Sequence, residues 1–158
     1  MATFPLLDNR LFLVGYSDDA RVLIDHLQAE APGLLSRVAG VVDDARVVSQ
    51  LKARGLAVVC GDPWNVTTLL DADLQRAGIV VVFPEDPVRH GERILTTVRA
   101  VRRLCPDAQI FAKAGSGEDA ERLYAVGANE VMVIRTTPTP NRTAGGGDAR
   151  GDLAIDTP

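Results

Sequence analysis

Short apolar runs alternate along this chain with segments of helical period, and that alternation predicts the fold. Residues 11–14 (LFLV) run into Gly15. After a polar turn, Ala20, Leu23, Ile24 and Leu27 fall at i, i+3, i+4 and i+7, one buried face of a helix. Residues 37–42 (RVAGVV) predict a second buried strand ending at Asp43-Asp44, and Val47, Val48 and Leu51 a short helix closed by Gly55. A third strand is expected over residues 57–60, halted by Gly61-Asp62-Pro63. Val66, Leu69 and Leu70 then give one helix face, with Asn65 as its cap. Residues 79–83 (IVVVF) are almost purely β-branched, as suits a strand buried on both faces. Ile94, Leu95, Val98 and Val101 predict a helix ending near Cys105-Pro106. Residues 109–114 and 130–134 read as strands, and residues 118–126 between them as a helix. The expected fold is α/β: a Rossmann-like, doubly wound, six-stranded parallel sheet with helices on both faces.

The pattern stops near Arg135. Residues 136–158 are rich in proline, threonine and glycine and nearly free of large apolar side chains, so they are expected to form a disordered tail or linker. Residues 1–135 are expected to form one lobe. A chain of 158 residues that is 46% hydrophobic can bury a core of its own. The net charge of −4, with both signs interspersed, argues against nucleic acid as a partner. No apolar run approaches the roughly 18–20 residues that cross a bilayer, and the start MATFPLLDNR does not resemble a signal peptide. Cys60 and Cys105 are expected to be buried, reduced thiols.

Candidate chemistry gathers at the first strand–helix turn. In a Rossmann unit a glycine turn places helix N-terminal N–H groups where a phosphate can sit. The dinucleotide fingerprint G-x-G-x-x-G stands here as Gly15-Tyr16-Ser17-Asp18-Asp19-Ala20. Gly15 supplies the turn, and Ala20 is small enough for close helix–strand packing. Ser17 puts a Cβ where the second glycine would admit a pyrophosphate. Asp18 and Asp19 suit the helix dipole but set negative charge where an anion would dock. A helix merely capped by Ser17 or Asp18 is the competing reading. No catalytic constellation is found. His26 and His90 are expected to face solvent, Trp64 to pack on the sheet edge, and the two cysteines form no C-x-x-C.

Several stretches resemble the N-terminal lobe of RCK domains, the regulators of potassium conductance. They are Val14-Gly15-Tyr16-Ser17, Val59-Cys60-Gly61-Asp62-Pro63, Ala77-Gly78-Ile79-Val80-Val81-Val82, Pro106-Asp107-Ala108-Gln109-Ile110-Phe111-Ala112-Lys113, and the run from Glu121-Arg122-Leu123 through Gly127-Ala128-Asn129-Glu130-Val131. The resemblance spans roughly residues 10–134. It implies a cytosolic regulatory domain, at the inner face of the membrane, of a potassium channel or transport system. The implied partner is a membrane pore subunit, with homo-oligomers through the lobe faces. It also implies a weak site for an adenine nucleotide or NAD(H). Asp43, with Asp44 beside it, matches the acidic residue that holds the ribose, and Asp62 a residue facing the adenine side; the competing readings are that Asp43-Asp44 caps the following helix and that Asp62 is a turn aspartate. The calcium-binding positions of the family correspond to Phe83, Lys113 and Gly115, which cannot supply side-chain oxygen ligands. Glu85 and Asp86 lie nearby and are read as exposed turn acids. The crossover helix and C-terminal lobe that usually follow are not expected in residues 136–158. Two further readings stay open, a ligand-free Rossmann scaffold and an NAD(P)-dependent oxidoreductase domain.

Overall fold

Strand β1 (Arg10–Val14) lies at the centre of the sheet because both of its faces are apolar. The computed structural model describes residues 10–84 and 86–134. The expected tail over residues 136–158, the first nine residues and Glu85 lie outside the described residues. After β1 come α1 (Asp18–Glu30), β2 (Val38–Val42), α2 (Ala45–Ala53), β3 (Ala57–Cys60) and α3 (Val66–Asp71). They are followed by β4 (Ala77–Val82), α4 (Gly91–Leu104), β5 (Gln109–Ala114), α5 (Gly117–Ala125) and β6 (Glu130–Val133). The order across the sheet is β3-β2-β1-β4-β5-β6, every pairing is parallel, and the fold is the Rossmann-like α/β sheet expected.

Alternation along β1 sorts the core into two layers. Leu11 and Leu13 pack with Ala20 and Ile24 of α1 and with Val48 and Leu51 of α2. Phe12 and Val14 face the opposite way, onto Leu69 of α3, Ile94, Val98 and Val101 of α4, and Ala120 and Leu123 of α5. Gly40 lets β2 lie close to β1, since a Cβ there would stand 2.6 Å from the Leu13 carbonyl oxygen. Asn65 caps α3 as expected, its side-chain oxygen accepting from the N–H groups of Thr67 and Thr68. Short 3₁₀ turns at Pro32–Arg37 and Leu74–Arg76 lead into β2 and β4. Sequence pattern had marked only a break at the first, because so short a turn has no apolar period of its own.

Arg102 ties the far end of the α4–α5 layer together. Its guanidinium donates to the carbonyls of Cys105 (3.2 Å), Pro106 (2.9 Å), Ala108 (2.9 Å) and Gly127 (2.9 and 3.1 Å), and to the side-chain oxygen of Asn129 (2.7 Å). That Asn129 oxygen also accepts from the Ile110 N–H on β5 at 2.8 Å. One cation therefore gathers carbonyls from the end of α4 and the turn into β6, of which that of Cys105 also accepts from the Ala108 N–H at 3.1 Å.

Two expectations about side chains need correcting. Cys105 is buried, but Cys60 is exposed, because it closes the edge strand β3, which has a strand on one side only. His90 does not stand free in solvent. It is half-buried, its ring 5.8 Å from that of Trp64, which packs against the core beneath α3 and α4. His26 is exposed on α1, as expected.

Candidate nucleotide site at the sheet switch point

The chain leaves β1 toward β2 on one side, while β4 lies on the other. This is the topological switch point, at the C-terminal ends of the strands, where Rossmann sheets take ligands. Gly15 forms the turn with φ +83°, a conformation a side chain would strain, and its N–H donates to the Val41 carbonyl at 2.9 Å. That bond holds the turn level with the end of β2, where Val14 pairs in register with Val41. Pro63, from the turn after β3, lies beside Gly15.

Ser17 is the N-cap of α1. Its extended backbone (φ −147°) and its hydroxyl, which accepts from the Ala20 N–H at 3.4 Å, start the helix. The side chain is turned inward and 5% exposed. Ala20, on the buried face of α1, packs with Leu11 and Leu13 of β1, the role given to a small residue there. The backbone N–H groups of Asp18 and Asp19 have no acceptor among the described residues, so the first turn of the helix presents free donors. Tyr16 lies half-buried against the α1–α2 core, and burial pushes its phenol above the ordinary value of 10.0, with Arg54 opposing.

The acidic residues divide by role. Asp44 caps α2, its Oδ1 accepting from the N–H groups of Arg46 (2.9 Å) and Val47 (3.4 Å). Asp43, exposed at the end of β2, makes no hydrogen bond or ion pair among the described residues. Asp62 accepts from the Trp64 N–H at 2.9 Å and so shapes the turn after β3. Asp18 is a solvated acid, 94% exposed, within 3.5 Å of Arg21. Asp19 differs: its carboxylate is ion-paired with the Lys113 ammonium, which reaches over from β5. Sequence reading missed this pair, since the two residues lie 94 positions apart and no local spacing links them.

Of the positions that correspond to family calcium ligands, Phe83 packs against the α1–α2 layer, Lys113 is taken by Asp19, and Gly115 is crowded by Val88. Among the described residues, no group of three or more His, Cys, Asp or Glu is placed to hold a metal ion. None of the described helices is long and apolar enough to cross a membrane.

The sequence profile of the TrkA-N domain matches residues 11–134, almost the whole of the described sheet and its helices. The chain belongs to the TrkA-N domain family. Among solved structures, it is similar to the TrkA-N domain of the inner membrane protein ybaL from Escherichia coli, with 25% identity and a TM-score of 0.68. That match covers 79% of this chain and 87% of the other. The NAD(P)-binding domain of an exopolyphosphatase-related protein from Archaeoglobus fulgidus matches at 21% identity and a TM-score of 0.61, over 78% and 86% of the two chains. GsuK appears bound to ADP, at 22% identity and a TM-score of 0.63, with 79% of this chain covered but only 31% of GsuK. It also appears as a channel bound to NAD, at the same identity and score, over 78% and 21%. No curated protein matches the chain. The TrkA-N assignment and the shared fold agree with the resemblance to the RCK N-terminal lobe drawn from sequence.

Proposed function

We propose that this TrkA-N domain is a cytosolic regulatory module of a potassium channel or potassium transport system, and that it senses an adenine nucleotide or NAD(H). The reading rests on one juxtaposition. A glycine turn with free helix donors stands level with an unengaged carboxylate, Asp43, at the end of the neighbouring strand. Family membership supports it, as does the fold shared with GsuK, which is bound to ADP in one structure and to NAD in another. In this reading Asp43 accepts from the ribose hydroxyls. The turn from Gly15 and Tyr16 through Ser17, Asp18 and Ala20 receives the phosphates, and Asp62 borders the adenine side. Asp44 contributes by fixing α2, because its carboxylate is committed to the cap. Binding is weak, with a dissociation constant on the order of 0.1–1 mM, roughly 4–5.5 kcal/mol, because the inward Ser17 keeps a Cβ in the turn. The partner is a membrane pore subunit that places the domain at the inner face of the membrane, and copies associate through the lobe faces. No hydride-transfer or hydrolytic chemistry is assigned.

The contrast between the two neighbouring acids tests this. At a hundredfold excess over the dissociation constant, a ligand stabilises the native state by about 2.7 kcal/mol, a readily measured thermal shift. Asp43→Ala should abolish the shift given by ADP or NAD while leaving the unliganded melting temperature nearly unchanged. Asp44→Ala should lower the unliganded stability by about 1 kcal/mol through loss of the cap and keep the ligand shift. Equal shifts in the unmodified protein and in Asp43→Ala would remove the ribose assignment. Purification of the chain from its native membrane with a potassium pore subunit is the expected result for the partner. A soluble complex with an oxidoreductase substrate domain would contradict it.

A further inference from the structure

We propose that Lys113 sets the charge selectivity of the turn, favouring phosphate-bearing ligands over uncharged ones. This rests on the nucleotide reading above and concerns which ligands that site prefers. From sequence alone, Asp18 and Asp19 oppose a phosphate equally. The structure separates them. Asp18 is solvated and shielded by water and Arg21, so it imposes little field on a ligand. Asp19 is half as exposed or less, and its charge is cancelled by an ammonium that is itself only 16% exposed.

The geometry of β5 explains why the ammonium lies there. Ile110, Ala112 and Ala114 point into the α4–α5 layer, so Phe111 and Lys113 must point to the opposite face, the side on which α1 lies. Lys113 is thereby carried past β4 to the first turn of α1. On the other face of the sheet, the residue also borders the cleft between α4 and α5, where Gly91, Asp119 and Arg122 lie. Arg122 is engaged by Glu92 at 3.0 Å and by Asp119 at 3.5 Å. Asp19 is the carboxylate that the ion pairs of the described residues give to Lys113. A phosphate oxygen docked on the free N–H groups of Asp18 and Asp19 would stand beside this ammonium, which can turn from the carboxylate to the phosphate without crossing the sheet. A lysine ammonium on a flexible stem suits such an exchange, since it acts as a point charge with rotatable donors.

The test is a ligand series of rising charge, adenosine, AMP and ADP, titrated into the full chain by thermal shift and calorimetry at low and physiological salt. The unmodified protein should bind ADP more tightly than adenosine, with the difference shrinking as salt rises. Lys113→Met should weaken ADP about tenfold and leave adenosine within twofold, while Lys113→Arg should restore the preference for ADP. Asp19→Asn, which frees the ammonium, should tighten ADP severalfold, and more than Asp18→Asn does. The ligand-free melting curve of each variant separates misfolding from a change in selectivity. Equal losses of adenosine and ADP in folded Lys113→Met, or equal gains from Asp18→Asn and Asp19→Asn, would overturn the assignment while leaving the nucleotide site standing. No response of the unmodified protein to any of the three would overturn this inference, and silence to NAD and ATP as well would overturn the nucleotide reading.

Discussion

At the scale of single residues, the chain relies on a few side chains that each join segments distant in sequence. Arg102 is the clearest. Replacing it by alanine should destabilise the domain by about 2–3 kcal/mol, since charge-assisted bonds are lost and several carbonyls lose a donor. Arg102→Lys should recover little of this, because one ammonium cannot span Gly127, Ala108 and Asn129 together. Urea unfolding of the two variants decides the matter, and an alanine variant as stable as the parent would rule out the tie. The thiols make a second contrast. Cys60, exposed, should react with a thiol reagent in the native state, and Cys105 only on unfolding. Burial raises the Cys105 thiol above its ordinary value of 9.0 and the Tyr16 phenol above 10.0. For an acid whose folded value is raised, the unfolded chain loses its proton first. The neutral forms thus support folding below those values, and that support is lost as pH rises through the folded values. Stability should therefore fall above about pH 9, and Tyr16→Phe should remove part of that decline.

At the scale of elements, most of the architecture is legible in the apolar period, because each strand and helix is defined by which of its own residues it buries. Strands β3 and β5 run over the residues expected, and Ile94, Leu95, Val98 and Val101 are all buried on α4. What the period cannot carry is contact between elements. The Asp19–Lys113 pair, the Trp64–His90 pair and the reach of Arg102 each join side chains from separate loops, helices or strands, and nothing local in the sequence requires them. The division of labour between Asp43 and Asp44 was open for a related reason, as either acid could cap α2 until the backbone chose one. Close approach is equally hidden. Gly40 reads as a small residue in an apolar strand, yet a Cβ there would collide with the Leu13 backbone. Gly40→Ala should cost about 1–3 kcal/mol by forcing β1 and β2 apart, measured as a lowered urea midpoint. Asn65→Ala should cost about 1 kcal/mol through loss of the α3 cap.

At the scale of the whole molecule, the parallel sheet and its two layers make a platform, and the proposed site lies where the connections on β1 diverge. Residues 136–158 carry almost no large apolar side chains, so we propose that the lobe folds without them. Truncation after Ile134 should then leave the melting temperature within a few degrees, as for a change below ~1 kcal/mol. A loss of many degrees would extend the domain into residues 135–158. The central claim, that the switch point is a nucleotide sensor, is tested most directly by calorimetric titration of the unmodified chain with ADP and with NAD. The account predicts saturable binding with a dissociation constant on the order of 0.1–1 mM. Absence of saturable heat for NAD, AMP, ADP and ATP at millimolar concentration would contradict it and make the lobe a ligand-free scaffold.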